Sequence, residues 1–420
     1  FKFYKKMQVP PPTFCPECRF QRRLMFRNER ALYKDKCDLC GKDMISVFSP
    51  ENPFKVYCSP CWWSDNWDPL ESGQEYNPSR NFFEQMREVQ LESPFMNLIV
   101  GYSTLVNSDY VNHAGEMKNC YLSYNADYCE NVHYFEMGIR NKDLMDSTMI
   151  GESELCYWVT NGHKLHNVFF SEDCIDSYDI YFSKNLSGCS NCFGCINLRN
   201  KKYYIFNEPH IKEEYEKKIK EFRLDSYAAI REIKDKVYAF WQTVPHKFMC
   251  ERHNVDVSGD YVYESKNAYA MYMARYIENG KFCQFITTAP VKDVYDYTEW
   301  GWGAQRILDC ITVGLQTDNI KYSSGIWDSC MNVEYGMYNV SCSNNFGCVN
   351  LRKKQYCILN KQYSKEEFEK LRAKIIQDLE NNPYIDSKGR VFKYGEFMPY
   401  DLTPYDYNES TADWYFPRTK

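Results

Sequence analysis

From Asn119 to Lys202 small or apolar positions recur every third residue, a period that belongs neither to a helix at 3.6 nor to an ordinary strand at 2. Written in sixes, the segment begins NCYLSY, NADYCE, NVHYFE and ends NLSGCS, NCFGCI, NLRNKK. Asn or Asp opens eleven of the fourteen hexads, the second place is always small or aliphatic, and the fifth is most often Ser or Cys. Second and fifth places together make one row, Cys120, Ser123, Ala126, Cys129, Val132, Phe135 and on to Cys195 and Leu198, without a charge in it. Such a row predicts a parallel β-helix: short strands that bend at Asn or Asp and send two side chains inward per hexad. Coils of three or four hexads would hold about 18 or about 24 residues.

The pattern is duplicated. KNCYLSYNADY at Lys118 is echoed by KNAYAMYMARY at Lys266, and SNCFGCINLRNKKYYIFN (190–207) returns as SNNFGCVNLRKKQYCILN (343–360). The second half is looser, with ITTAPVKDVYDYTEWGWGAQ (286–305) inserted, an aromatic stretch expected to form a binding loop on one face. Each half is followed by a helical pattern. In YSKEEFEKLRAKIIQDL, Ser364 and Glu367 form a capping box, and Phe368, Leu371, Ile375 and Leu379 an apolar stripe suited to covering the open end of a coil. The expected architecture is mainly β: a zinc-knuckle module at 1–70, a first β-helix half at 71–207, a helical brace at 208–250, a second half at 251–360, and a capping helix with an extended Tyr- and Pro-rich tail at 361–420.

Cysteine adds chemistry at the N-terminal end. Cys37 and Cys40 in CDLCGK precede Cys58 and Cys61 in YCSPC, two CxxC knuckles whose four thiolates suit a closed tetrahedral zinc site. Cys15 and Cys18 in FCPECR form a third pair without a nearby partner pair. The segment FKFYKKMQVPPPTFCPECRFQRR resembles the second half of a family of small bacterial zinc ribbons, in which a first CxxC precedes a closing CPxCR. The resemblance implies that Cys15 and Cys18 are also zinc ligands and that their partners lie upstream of Phe1, which as a non-Met opening is expected not to be the true start. Among Cys189, Cys192 and Cys195, a metal cluster is suggested by spacing and weakened by Asn345, which stands where Cys192 stands in the other copy. Their place in the charge-free row favours compact core residues.

Between the cysteine pairs runs RFQRRLMFRNERALYKDK. Residues 1–61 carry twelve Lys and Arg against six Asp and Glu, although the whole chain of 420 residues is at −6. Arg19, Arg22, Arg23, Arg27 and Arg30 are therefore the expected nucleic-acid contacts, against a bland alternative of a solvated helix face. Aromatics reach 17%, with 36 Tyr, so large ring surfaces must be buried or offered to a protein partner. No apolar run is long enough to span a membrane. CxxC usage points to a reducing, cytoplasmic setting.

Enzyme signatures are missing: no GxGxxG, Walker loop, GxSxG or HExxH occurs. Of the 7 His, His163 and His166 fall at outward hexad places, and Asp173, Asp176 and Asp179 could line an outer face as in polysaccharide-cleaving β-helices. The segments CPECRFQRRLMFRNERALYKDKCDLCGK, YCSPCWWSDNWDP and CFGCINLRNKKYYIFN resemble a group of bacterial proteins, common in small-genome candidate phyla, that join zinc knuckles to a Cys- and Asn-rich repeat. This resemblance implies an architecture and no activity. The expectation is a non-catalytic, zinc-containing β-helix scaffold that binds RNA, DNA or a ribonucleoprotein through its basic module. The alternative is a protein that binds or cleaves polysaccharide along the β-helix face.

Overall fold

The computed structural model describes residues 2–275, 277–278, 291–292, 294–295, 297–298, 301 and 303–418. The chain forms two compact units, Leu98–Lys247 and a second made of Phe1–Asn97 with Phe248–Lys420. Residues 98–207 of the expected first half and the helices after it thus share one unit, and 71–97 belong to the other. The knuckle segment, the second half and the tail, expected as separate pieces, share the other.

In the unit Leu98–Lys247 the strands Val111–Lys118, Tyr121–Ile139, Lys142–Gly151, Glu154–Tyr181, Ser190–Phe193 and Lys202–Ile205 pair in parallel in chain order, and Glu208–Pro209 closes the row antiparallel. The register is constant: Val111 faces Ser123, Glu130 faces Lys142, Leu144 faces Cys156, and Tyr178 faces Ser190. Each partner lies twelve residues on, two hexads instead of the expected three or four. The cause is local. Every third residue, from His113 through Glu116, Asn119, Leu122 and Asn125 to Asn185, has φ near +50°, so the backbone bends after each triplet. Asn and Asp tolerate that conformation, but Tyr128, Tyr134, Trp158 and Phe170 also adopt it, at about 1 kcal/mol or more each.

Two features offset that strain. The charge-free row is buried from Val111 to Cys195 and forms one apolar cluster with Val132, Val159, Cys174, Ile180 and Cys192 fully enclosed. Outside, bend asparagines stack in ladders: Asn107 donates to Asn119, Asn119 to Asn131, and Asn131 to Asp143, at 2.8 to 3.1 Å. Aromatic residues at neighbouring places stack likewise, Phe169 on Tyr181 and Phe170 on Phe182. Helices Lys212–Glu221 and Tyr227–Trp241 cover that aromatic side through Tyr215, Ile233, Val237 and Trp241.

In the other unit the described part of the repeat makes three parallel sheets. Glu251–Arg252, Val255–Tyr263, Lys266–Arg275, Ile277–Glu278 and Val291–Lys292 form the first; Ile311–Val313, Ser324–Trp327 and Met337–Val340 form the second; Asp318–Lys321, Met331–Glu334, Ser343–Phe346 and Gln355–Ile358 form the third, ended by antiparallel Lys361–Gln362. Partners stand thirteen residues apart at Ile311 and Ser324 and at Asp318 and Met331, then twelve apart from Met331 and Ser343 onward. Helix Lys365–Asn381 has the capping box of Ser364 and Glu367 and buries Phe368, Ile375 and Leu379. It is pinned by a buried charge: Glu334 accepts from Arg372 at 2.7 Å, Tyr394 at 2.9 Å and Lys321 at 3.1 Å. Burial would raise the Glu334 carboxyl, but Lys321 and Arg372 outweigh it and hold the group below its ordinary value. The insertion at 286–305 lies partly outside the described residues. Within it Val294, Tyr297, Thr298 and Ala304 are buried, so this part is core and not an exposed binding loop.

Candidate metal centre

Two tight turns present the cysteine quartet. Strands Tyr33–Lys36 and Asp43–Ser46 make an antiparallel hairpin whose tip is the first knuckle. There the Cys37 N–H donates to the Lys42 carbonyl, and the Gly41 N–H to the Cys37 carbonyl. Gly41 has φ +71°, which an L side chain would strain. The second knuckle follows strand Val56–Tyr57 and enters helix Ser59–Trp63, with the Trp62 N–H on the Cys58 carbonyl. Asp38 ties the knuckles together: its N–H donates to the Val56 carbonyl and its carboxylate accepts the Val56 N–H at 2.6 Å.

The sulfurs of Cys37, Cys40, Cys58 and Cys61 all lie within 4.8 Å of one another, with Cys40 and Cys58 3.9 Å apart. Four thiolates at about 2.3 Å from one zinc would stand about 3.8 Å from each other, so the set fits a tetrahedral ion of that size. The Lys42 N–H draws the Cys40 thiol down to about 7, whereas burial pushes Cys58 and Cys61 up. Bringing an ion in must therefore release protons from the remaining thiols.

Behind the quartet stands a wall that the sequence did not announce. Trp62 is fully buried, with its ring N–H on the Pro94 carbonyl, and the Trp67 N–H donates to the Trp62 carbonyl. Arg352, from the duplicated NLR triplet, lies 4.7 Å over Trp67 and 5.2 Å over Trp62 and donates to the Ser64 carbonyl. The repeat and the knuckle module are thereby joined in one unit.

Cys15 and Cys18 are exposed at the start of helix Pro16–Leu24, their sulfurs 3.0 Å apart. The S–H and N–H of Cys18 lower the Cys15 thiol. Among the described residues no third Cys, His, Asp or Glu joins them in a cluster.

The arginines are placed against expectation. Arg19, Arg22, Arg23 and Arg27 are buried, and only Arg30 is exposed, stacked on Trp414. Arg22 bonds Glu396 at 3.1 Å and lies over the rings of Phe14 and Phe392. Arg23 bonds Asp309 and Thr298, Arg27 bonds Glu29 and Thr312, and Arg19 bonds the Phe14 carbonyl. Buried charge must be paired, and these partners meet that need inside the chain. The expected arginine face for nucleic acid does not exist at these four positions.

Cys189, Cys192 and Cys195 are enclosed core residues. The Cys192 thiol is pushed up to about 12, lowered by the Cys189 S–H but raised more by Cys195 and burial. Asn345 in its place is explained by a shared contact. An inner Cys, Ser or Asn donates to the carbonyl nine residues on, as Cys195 does to Tyr204, Ser123 to Val132 and Asn339 to Cys348. An inner Ser or Asn also accepts the N–H twelve residues on, as Ser183 does from Cys195 and Asn345 from Cys357. Asn345 fills only the accepting role, and its buried amide nitrogen has no partner among the described residues.

Asn197 and Asn350 stand at bends with positive φ, and each donates to a distant carbonyl, Pro245 for one and Ser93 for the other. Asn207 and Asn360, the final letters of the two copies, bond the backbone of the preceding turn. The Asn207 amide accepts the N–H and donates to the carbonyl of Ile196, and Asn360 does the same with Val349. A side-chain amide thus stands where the next strand's backbone would pair. Their identical last place in both copies was the available signal.

His166 faces Glu154 at 3.6 Å, twelve residues on in the ladder. Asp173, Asp176 and Asp179 occupy three successive bends and do not make one row; Asp173 and Asp179 accept from Asn161 and Asn167 in the ladders.

No protein-family description matches the chain, and no curated protein matches it. One crystal structure, titled "putative acetyltransferase from Desulfovibrio desulfuricans G20", aligns over 70% of this chain and 87% of its own with 10% identity and a TM-score of 0.12. At that score the likeness carries no inference about fold or activity.

Proposed function

We propose that the protein is a non-catalytic binding scaffold, built on a parallel β-coil of twelve residues per turn with four three-residue sides and held by one structural zinc. The observation that carries it is the quartet Cys37, Cys40, Cys58 and Cys61: four thiols within 4.8 Å fill a tetrahedral set and leave no open position for substrate. The twelve-residue register and the bend at each third residue support the coil. Cys15 and Cys18 supply half of a second zinc set, whose remaining donors lie outside the pair. Such a thiol-rich protein belongs in a reducing compartment. Among the described residues no helix is long and apolar enough to cross a membrane.

Nucleic acid falls from first place as partner, because four of the five arginines face inward. Contact through this region would depend on Lys5, Lys34 and Lys42, which are exposed. Full-length chain that binds RNA or DNA with a steep salt dependence, lost on neutralising these lysines, would restore it.

Elemental analysis of protein purified without chelator should find at least one zinc per chain. Cys58→Ser should lower the count by one and bring the melting temperature down, and chelation should do the same to the parent chain. A zinc-free protein of undiminished stability would overturn the proposal.

A further inference from the structure

On the unit Leu98–Lys247 one outer face differs from its neighbours. The outward column of that face is self-neutralised over its first strands: Lys118 pairs with Glu130 at 2.7 Å, and Lys142 with Glu154 at 3.7 Å. In that same column Glu154 also faces His166 at 3.6 Å. The neighbouring bend column is unpaired. Glu152, Lys164 and Asp176 follow each other at twelve-residue steps along one bend, alternately negative, positive and negative, and none is in an ion pair among the described residues. Beside them Glu154, His166 and Tyr178 form the parallel column, with Tyr178 almost half exposed. The two columns border an open groove of about 420 Å³, which the inward residues Leu165 and Ser177 between them also line.

We propose that this groove binds a neutral oligosaccharide. Alternating charges along the bend repel a polyanion at Glu152 and Asp176 and a polycation at Lys164, which selects against both nucleic acid and basic peptides. The same groups are strong acceptors and donors for hydroxyls, which neutral sugars offer in quantity. Tyr178 gives a flat face on which a sugar ring can lie. Consecutive strands stand about 4.8 Å apart, close to the length of one pyranose unit, so an extended chain along the coil axis would meet one pair of polar groups per sugar. The inference uses the parallel ladder of this unit and not the zinc centre, so its failure and that of the scaffold proposal are separately visible.

The test is calorimetric titration of the full chain with a panel of neutral hexasaccharides built on glucose, mannose and N-acetylglucosamine. At least one should bind, with a dissociation constant of about 1 mM or tighter, and Tyr178→Ala and Asp176→Asn should each weaken it at least about tenfold, or about 1.4 kcal/mol. Both side chains are exposed, so the melting temperature should stay unchanged and separate lost contact from lost fold. Tyr121→Ala, an exposed tyrosine off this face, should leave binding intact. Absence of binding up to about 10 mM across the panel would overturn the proposal, as would binding that survives both variants or a preference for charged polyuronates.

Discussion

The two copies of the duplicated element are nearly the same string and are used differently. In 190–207, Gly194 at φ +66° leaves room for the ring of Phe206, twelve residues on in the same ladder. In 343–360, Gly347 at φ +65° admits Phe82, from helix Phe82–Glu92. Arg199 bonds carbonyls of its own ladder at Asn185 and Leu198, whereas Arg352 reaches the tryptophans behind the cysteine quartet. Asn207 closes only its own strand, while Asn360 also donates to Pro69 and Ser72. In one copy the glycine and the arginine serve their own ladder, and in the other they receive segments from far along the chain. Equal sequence keeps the backbone conformation, and the neighbouring segments decide what each side chain holds.

Substitutions at paired positions can break this contrast. The largest effect should come from the terminal asparagines: Asn360→Leu leaves several buried groups unpaired and should destabilise its unit by about 4 kcal/mol, against about 2 for Asn207→Leu. Denaturant unfolding of each variant measures the difference, and equal losses would mean the contacts to Pro69 and Ser72 contribute nothing. Next come the glycines. A Cβ at Gly347 would stand 2.4 Å from the Phe82 ring, and one at Gly194 3.0 Å from Phe206. Gly347→Ala should therefore cost about 3 kcal/mol and Gly194→Ala about 1 to 2, both including the strain of positive φ.

The inner row gives a smaller effect. Cys192→Ala should lower stability by about 1 to 2 kcal/mol without altering zinc content, and Asn345→Cys should stay within about 1 kcal/mol of the parent, since it gives up one accepted N–H together with a buried, unpartnered amide nitrogen. A metal lost with Cys192 would show this stretch to be a ligand set after all. The smallest effect is at the arginines. Arg352→Ala should cost about 1 kcal/mol and speed zinc loss to a chelator, while Arg199→Ala should change stability by less than about 0.5 kcal/mol.

Much of this was legible in the chain. The inward row is visible because a period of three excludes helix and flat strand, and the knuckles and capping box are visible because their spacing is local. The spacing of strand partners was not, since a row with period three allows partners twelve residues apart as readily as about 18 or about 24. The discriminating signal was subtler: Asn107, Asn119, Asn131 and Asp143 recur at twelve, as a side-chain ladder needs. The fate of the arginines was hidden for another reason. Arg23 and Arg22 meet Asp309 and Glu396, carboxylates 286 and 374 residues away. A basic stripe read locally looks solvated when its counter-charges arrive from the far end of the chain.

The shift from thirteen to twelve residues between partners, after Met331, bears on how such a chain can change over generations. Where each position's direction is set by counting in threes, a one-residue insertion turns every later side chain from inside to outside until a bend absorbs it. The thirteen-residue steps are places where one extra residue has been absorbed without losing the inward Cys310, Ile320 and Val333. Addition or deletion of a whole twelve-residue block disturbs nothing in phase. Length in this architecture is thus open to revision in fixed increments, while single-residue slips are tolerated only where a strand is short enough to contain them.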